Sequence, residues 1–130
     1  MPILALYSGI LGILLIYLSN NVAGNRKKFQ VGIGDGDNKD LAKAIRVHAN
    51  FTEYVPIALI LLAVFEINHG HEMVAHLAGI SLVVGRLLHA YGLGKTIKAS
   101  FGRLAGIALT WLVIIGLSGA NIYFFISSSL

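Results

Sequence analysis

Arg46-Val47-His48-Ala49-Asn50-Phe51-Thr52-Glu53-Tyr54-Val55-Pro56 runs without a break into Ile57-Ala58-Leu59-Ile60-Leu61-Leu62-Ala63-Val64-Phe65. The second half of this stretch reads as the body of a membrane helix. The first half puts arginine, histidine, asparagine and glutamate on the same helix. Charged side chains at membrane depth are costly and face a bundle interior or a water-filled cavity, which makes them candidate functional residues.

The rest of the chain agrees with a bilayer as solvent. Of its 130 residues 56% are hydrophobic and only 12% charged, and the mean hydropathy is +0.77. The length suits one domain over residues 1–130. A soluble domain of that size has too little interior to hide so much apolar surface. There is no cysteine, which excludes disulfides, thiolate metal sites and a cysteine nucleophile. The net charge of +4 comes from basic residues that flank apolar spans, so it points to membrane topology and away from nucleic acid.

Four apolar spans can be read, at about 3–22, 41–67, 73–93 and 104–126. Each approaches the ~20 residues a helix needs to cross ~30 Å of hydrocarbon. The runs are too long for strands and lack alternation. The fold class is therefore an all-α, up-down, integral membrane four-helix bundle. The first span lacks a basic leader and a small-x-small cleavage site, so it is expected to be a retained span and not a signal peptide.

Arg26, Lys27, Lys28, Lys39, Lys43 and Arg46 lie in or just after the first loop, and Lys95, Lys98 and Arg103 in the third; residues 68–72 have no lysine or arginine. The positive-inside rule then predicts that loops one and three are cytoplasmic and both termini lie outside. The short loops fit a bacterial inner membrane. The segment from Gly32 to Asp40 carries Asp35 and Asp37 at a spacing faintly like a calcium loop, but lacks that motif's ordered ligand series and terminal glutamate. It reads as a turn with Asp40 near the start of the second helix.

At 100° per residue, Asn50 lies about 40° from Arg46 and Glu53 about 20° to the other side. Tyr54 falls next to Asn50, and Lys43 is on the same side. An arginine can grip a carboxylate with two parallel hydrogen bonds, a glutamate can hold an ammonium, and an asparagine offers both a donor and an acceptor. This stripe suits a zwitterionic ligand. It is equally the stripe of an internal Arg46–Glu53 ion pair that fixes helix packing. His48 lies about 160° away and reads as interfacial.

The third span contains Arg86 and His89. Arg86 lies deep in it and needs a partner; Glu53 and Glu66 are the acids available on the second helix. A structural Arg86–glutamate pair and a ligand contact both remain open. Tyr91 sits near the predicted cytoplasmic end. His48, His89 and Glu53 show no metal-ligand spacing, and His69, His71 and His76 read as a solvated loop cluster, so no metal site is expected. Gly102-x-x-x-Gly106, with Gly116 and Gly119 beyond, marks a helix that lets a neighbour approach closely.

Arg46-x-x-x-Asn50-x-x-Glu53-Tyr54-x-Pro56 resembles the second-helix signature of the MAPEG proteins, the membrane-associated proteins in eicosanoid and glutathione metabolism. Gly85-Arg86 with His89, Arg26-Lys-Lys-Phe29 and Arg103-Leu-Ala are shorter matches along nearly the whole chain. The resemblance implies a homotrimer that binds glutathione between subunits at the cytoplasmic side. Arg46, Asn50, Glu53 and Tyr54 would hold the tripeptide, Arg26 and Tyr91 would help close the site, and Arg86 and His89 would join them as glutathione-binding residues. Arg103 would match the arginine that stabilises the glutathione thiolate. The implied function is a glutathione-dependent transferase or peroxidase acting on lipophilic electrophiles. A non-catalytic lipid-binding or scaffolding trimer is the alternative, motivated by Ala49 and Leu93, which stand where some members carry arginine and tyrosine. A small transporter using an Arg86–Glu53 relay is disfavoured by the four spans and the absence of a broken-helix pair.

Overall fold

A computed structural model describes residues 1–95, 98 and 100–129, with Ser129 described by its backbone alone. It contains four helices: α1 Pro2–Phe29, α2 Lys39–Ile67, α3 Glu72–Lys95 and α4 Phe101–Ser129. Each is long and apolar enough to cross a membrane. At 1.5 Å per residue, α1 and α2 are about 42 and about 44 Å long, so both outrun the ~30 Å of hydrocarbon. The excess projects at the end where α1 carries Arg26, Lys27 and Lys28 in its last turn, a placement that also suits the negative end of the helix dipole. This is the basic end of the bundle.

Local chemistry sets the helix limits. Pro2 opens α1, where its missing N–H costs nothing. Gln30 closes that helix in the left-handed region (φ 56°), its N–H bonded to the Arg26 carbonyl. Asn38 caps α2 by accepting from the Asp40 and Leu41 amides, both at 3.0 Å, and Asp40 then sits in the first turn. The His71 ring accepts from the Met73 amide at 3.2 Å at the start of α3. Ser100 Oγ accepts from the Arg103 amide at 3.3 Å at the start of α4. Such caps satisfy amides that have no carbonyl within the helix.

α2 and α3 are the inner pair. α1 packs on both of them and so does α4, while α1 and α4 share no contact among the described residues. The core runs through Leu11, Phe51, Leu62, Leu82, Val113 and Leu117. Large apolar side chains face outward, among them Ile13, Ile16, Trp111, Ile115 and Phe125. In water that surface would be a liability; against lipid it is at home.

Three contacts between helices fix the end opposite the basic one. The Asn121 side chain donates to the Leu61 carbonyl at 2.9 Å. Tyr7 and His76 share a hydrogen bond of 3.0 Å and an edge-on ring contact. The Glu66 carboxylate accepts from the Leu4 amide at 2.7 Å. That last bond caps α1 from another helix, with negative charge at the positive end of the α1 dipole. Glu66→Ala is expected to cost about 1 kcal/mol. Thermal unfolding in detergent checks this, and a variant as stable as the parent would remove Glu66 from the docking of α1.

Candidate functional site

The polar residues of α2 divide into two layers at the basic end. Arg46 and Glu53 form the outer layer, with Nη1 of the arginine 3.6 Å from the carboxylate and both side chains at least half exposed. The two residues lie seven apart on one helix, so their pairing joins no two helices. The packing role that spacing alone left open therefore does not apply to this pair. Tyr54 is half-buried beside them. Arg26 holds the first loop by donating from Nη1 to the carbonyls of Val31, Gly32 and Gly34. It lines a small cavity of about 320 Å³ with Arg46, Ala42 and the Gly34–Asp35 turn. The structure thus brings Arg26, Arg46 and Glu53 to one side of α2.

Asn50 belongs to the inner layer. It is buried, and its carbonyl oxygen accepts from Arg86 Nη2 at 2.6 Å. Arg86 is 1% exposed. It also donates to His89 Nδ1 at 3.2 Å and to Thr110 Oγ1 at 3.4 Å. The guanidinium has no lone pair to offer, so the His89 Nδ1 must be the acceptor and the ring proton sits on Nε2. Thr110 Oγ1 in turn donates to the Gly106 carbonyl at 2.8 Å. The network joins α2, α3 and α4 at one point, and the Phe51 ring lies 6.0 Å from the guanidinium carbon.

This corrects the expected partner of Arg86. Among the described residues no carboxylate lies within ion-pair distance of it. Glu53 points out toward Arg46, and Glu66 lies at the far end of α2, engaged with α1. The cation is satisfied by neutral acceptors, except for Nε, which is buried without a partner. An asparagine and an imidazole avoid the cost of desolvating a second charge.

The network depends on an unusually close approach of α3 and α4. A Cβ on Gly106 would overlap the Gly85 carbonyl and the His89 amide, and one on Gly85 would come within 3.0 Å of the Gly106 carbonyl. Two turns beyond Gly85 toward the basic end, a Cβ on Gly92 would strike the Arg103 amide. The Gly102-x-x-x-Gly106 motif therefore has its partner in Gly85 and Gly92 of α3. This seam seats Arg103, half-buried at the start of α4, at the same end as the α2 stripe.

The remaining expected residues fall elsewhere. Tyr91 is exposed and lines a different cavity, between α1, α2 and α3, with Lys43 and Lys95. Around α2 this cavity lies on the side away from Ala42 and Ile45 of the Arg26–Arg46 cavity. His48 bonds Ser19 of α1 at 3.0 Å and ties two helices together. Thr110 was not legible as a site residue, since a single hydroxyl in an apolar helix carries no signal until its neighbours are known.

Four membrane-length helices, a buried polar junction and a charged face at one end define a polytopic membrane protein with a candidate polar-ligand site beside the bilayer. The sequence model of the MAPEG family matches residues 4–123, and the chain belongs to that family. It is 35% identical over 120 residues to the inner membrane protein YecN of Escherichia coli strain K12, a match covering 92% of this chain and 90% of that protein. The YecN of E. coli O6:H1 matches equally.

Proposed function

We propose that this MAPEG protein is a glutathione-dependent transferase or peroxidase for lipophilic electrophiles. It would work as a homotrimer in a bacterial inner membrane, with the basic end cytoplasmic and both termini outside. The observation that carries this reading is the exposed Arg46–Glu53 pair. Two opposite charges within one helix, 3.6 Å apart, can exchange each other for the carboxylate and ammonium of a zwitterion at little cost. Arg46, Glu53 and Tyr54 would hold the tripeptide, with Arg26 above them. Asn50, its oxygen taken by Arg86, would present its amide N–H₂. Arg86 and His89 hold that asparagine in place. Tyr91 is assigned to the other cavity.

Glutathione supplies a thiol when bound. Arg103 is the residue to favour its ionised form, because a nearby guanidinium lowers a thiol pKa and the thiolate is the nucleophile. The membrane cytoplasmic interface delivers the apolar co-substrate. Turnover of glutathione with a generic aryl halide or an organic hydroperoxide is expected, and Arg103→Ala should lower it at least about tenfold.

The second reading, a lipid-binding trimer without chemistry, has its own observation. An apolar groove of about 300 Å³ runs between α3 and α4 past Leu77, Leu112 and Leu117. Absence of turnover with both substrate classes would decide for it.

A further inference from the structure

The cavity between α1, α2 and α3 at the basic end is two-faced. Leu14 and Leu18 of α1 and Leu87 of α3 line it toward the middle of the bundle, while Lys43 of α2 and Lys95 of α3 line it toward the helix ends. It holds about 490 Å³. Lys43 is paired with Asp40 at 2.9 Å, and Asp40 also lines the cavity. The lysine pair less that acid leaves the rim one positive charge. Lys95 lies over the Tyr91 ring at 4.3 Å, and Asn21 and Tyr17 add hydrogen-bonding groups. None of these residues takes part in the Arg46–Glu53 pair or the Arg86 network.

We propose that this cavity seats an anionic phospholipid, with its phosphate at Lys43 and Lys95 and one acyl chain against Leu14, Leu18 and Leu87. The depth is right, because the cavity straddles the point where the apolar span of α1 gives way to its basic last turns. The charge is right, because a single phosphodiester matches the net charge of the rim. Lysine binds phosphate as a point charge, and basic residues beside anionic lipid each strengthen its attachment. The leucine floor selects a lipid over a free phosphate, which would lose water there and gain no partner. This inference stands apart from the glutathione reading.

The test is lipid retention by the purified full-length protein, read by native mass spectrometry after titration with phosphatidylglycerol, phosphatidylcholine or glycerol 3-phosphate. One phosphatidylglycerol per chain is expected, held about tenfold or more tighter than phosphatidylcholine. The Lys43→Gln/Lys95→Gln variant loses that preference. Gly94→Trp fills the cavity from a position where an added Cβ meets nothing within 4 Å, and it abolishes retention. Lys27→Gln/Lys28→Gln, at the same end but outside the cavity, keeps it. Equal retention of the two lipids, equal loss in the Lys27/Lys28 control, or displacement by glycerol 3-phosphate would each overturn the proposal.

Discussion

Asn50→Leu will destabilise the protein by about 3 kcal/mol, several times the ~0.6 kcal/mol of an ordinary hydrogen bond between membrane helices. The difference lies in what is left behind. The variant keeps Arg86 charged and buried, and removes its shortest acceptor, the Asn50 oxygen at 2.6 Å. His89 Nδ1 and Thr110 Oγ1, at 3.2 and 3.4 Å, remain as longer bonds. Adding Arg86→Met removes the stranded charge, so the double variant should be more stable than Asn50→Leu alone. Unfolding of the detergent-solubilised set gives the cycle. A loss no larger than an ordinary hydrogen bond, or simple additivity, would show that the guanidinium does not depend on Asn50.

Gly106→Leu is expected to prevent α3 and α4 from docking at all. The added Cβ would sit 2.7 Å from the His89 Cβ and overlap backbone atoms of α3. Backbone does not yield as a side-chain tip does. Overpacking in a dense core already costs about 1–3 kcal/mol, and here the shift also pulls Thr110 from Arg86 and opens the seam at Gly85 and Gly92. Gly119→Leu, on the same helix but with open space around its Cβ, should be tolerated. Yield of monodisperse protein separates the two, and a well-folded Gly106→Leu protein would contradict the close seam.

Most of the architecture was legible because a bilayer imposes a simple rule: long apolar runs, basic residues at one end. The spans gave four helices, and the helix period placed Arg46 and Glu53 together. Asn50, 40° from Arg46 on the same wheel, instead turns inward. That separation depends on where α3 brings Arg86, a long-range fact with no trace in local spacing. The same holds for the choice of neutral acceptors over Glu53 or Glu66 and for Thr110. The glycine motif announced close packing, but only the structure names Gly85 and Gly92 as the surfaces it meets. Tyr91 followed the family pattern in sequence and in space lies under Lys95, lining the cavity between α1, α2 and α3.

The most direct measurement is calorimetric binding of glutathione to the detergent-purified protein and to its Arg46→Ala and Glu53→Ala variants. Both side chains are at least half exposed, so their loss should leave thermal stability nearly unchanged; an exposed pair contributes only about 0–1 kcal/mol. Saturable binding by the parent protein, weakened about tenfold or more in each variant, is the predicted result. No binding by the parent protein, or binding that survives both substitutions, would contradict the assignment of this pair as the glutathione site.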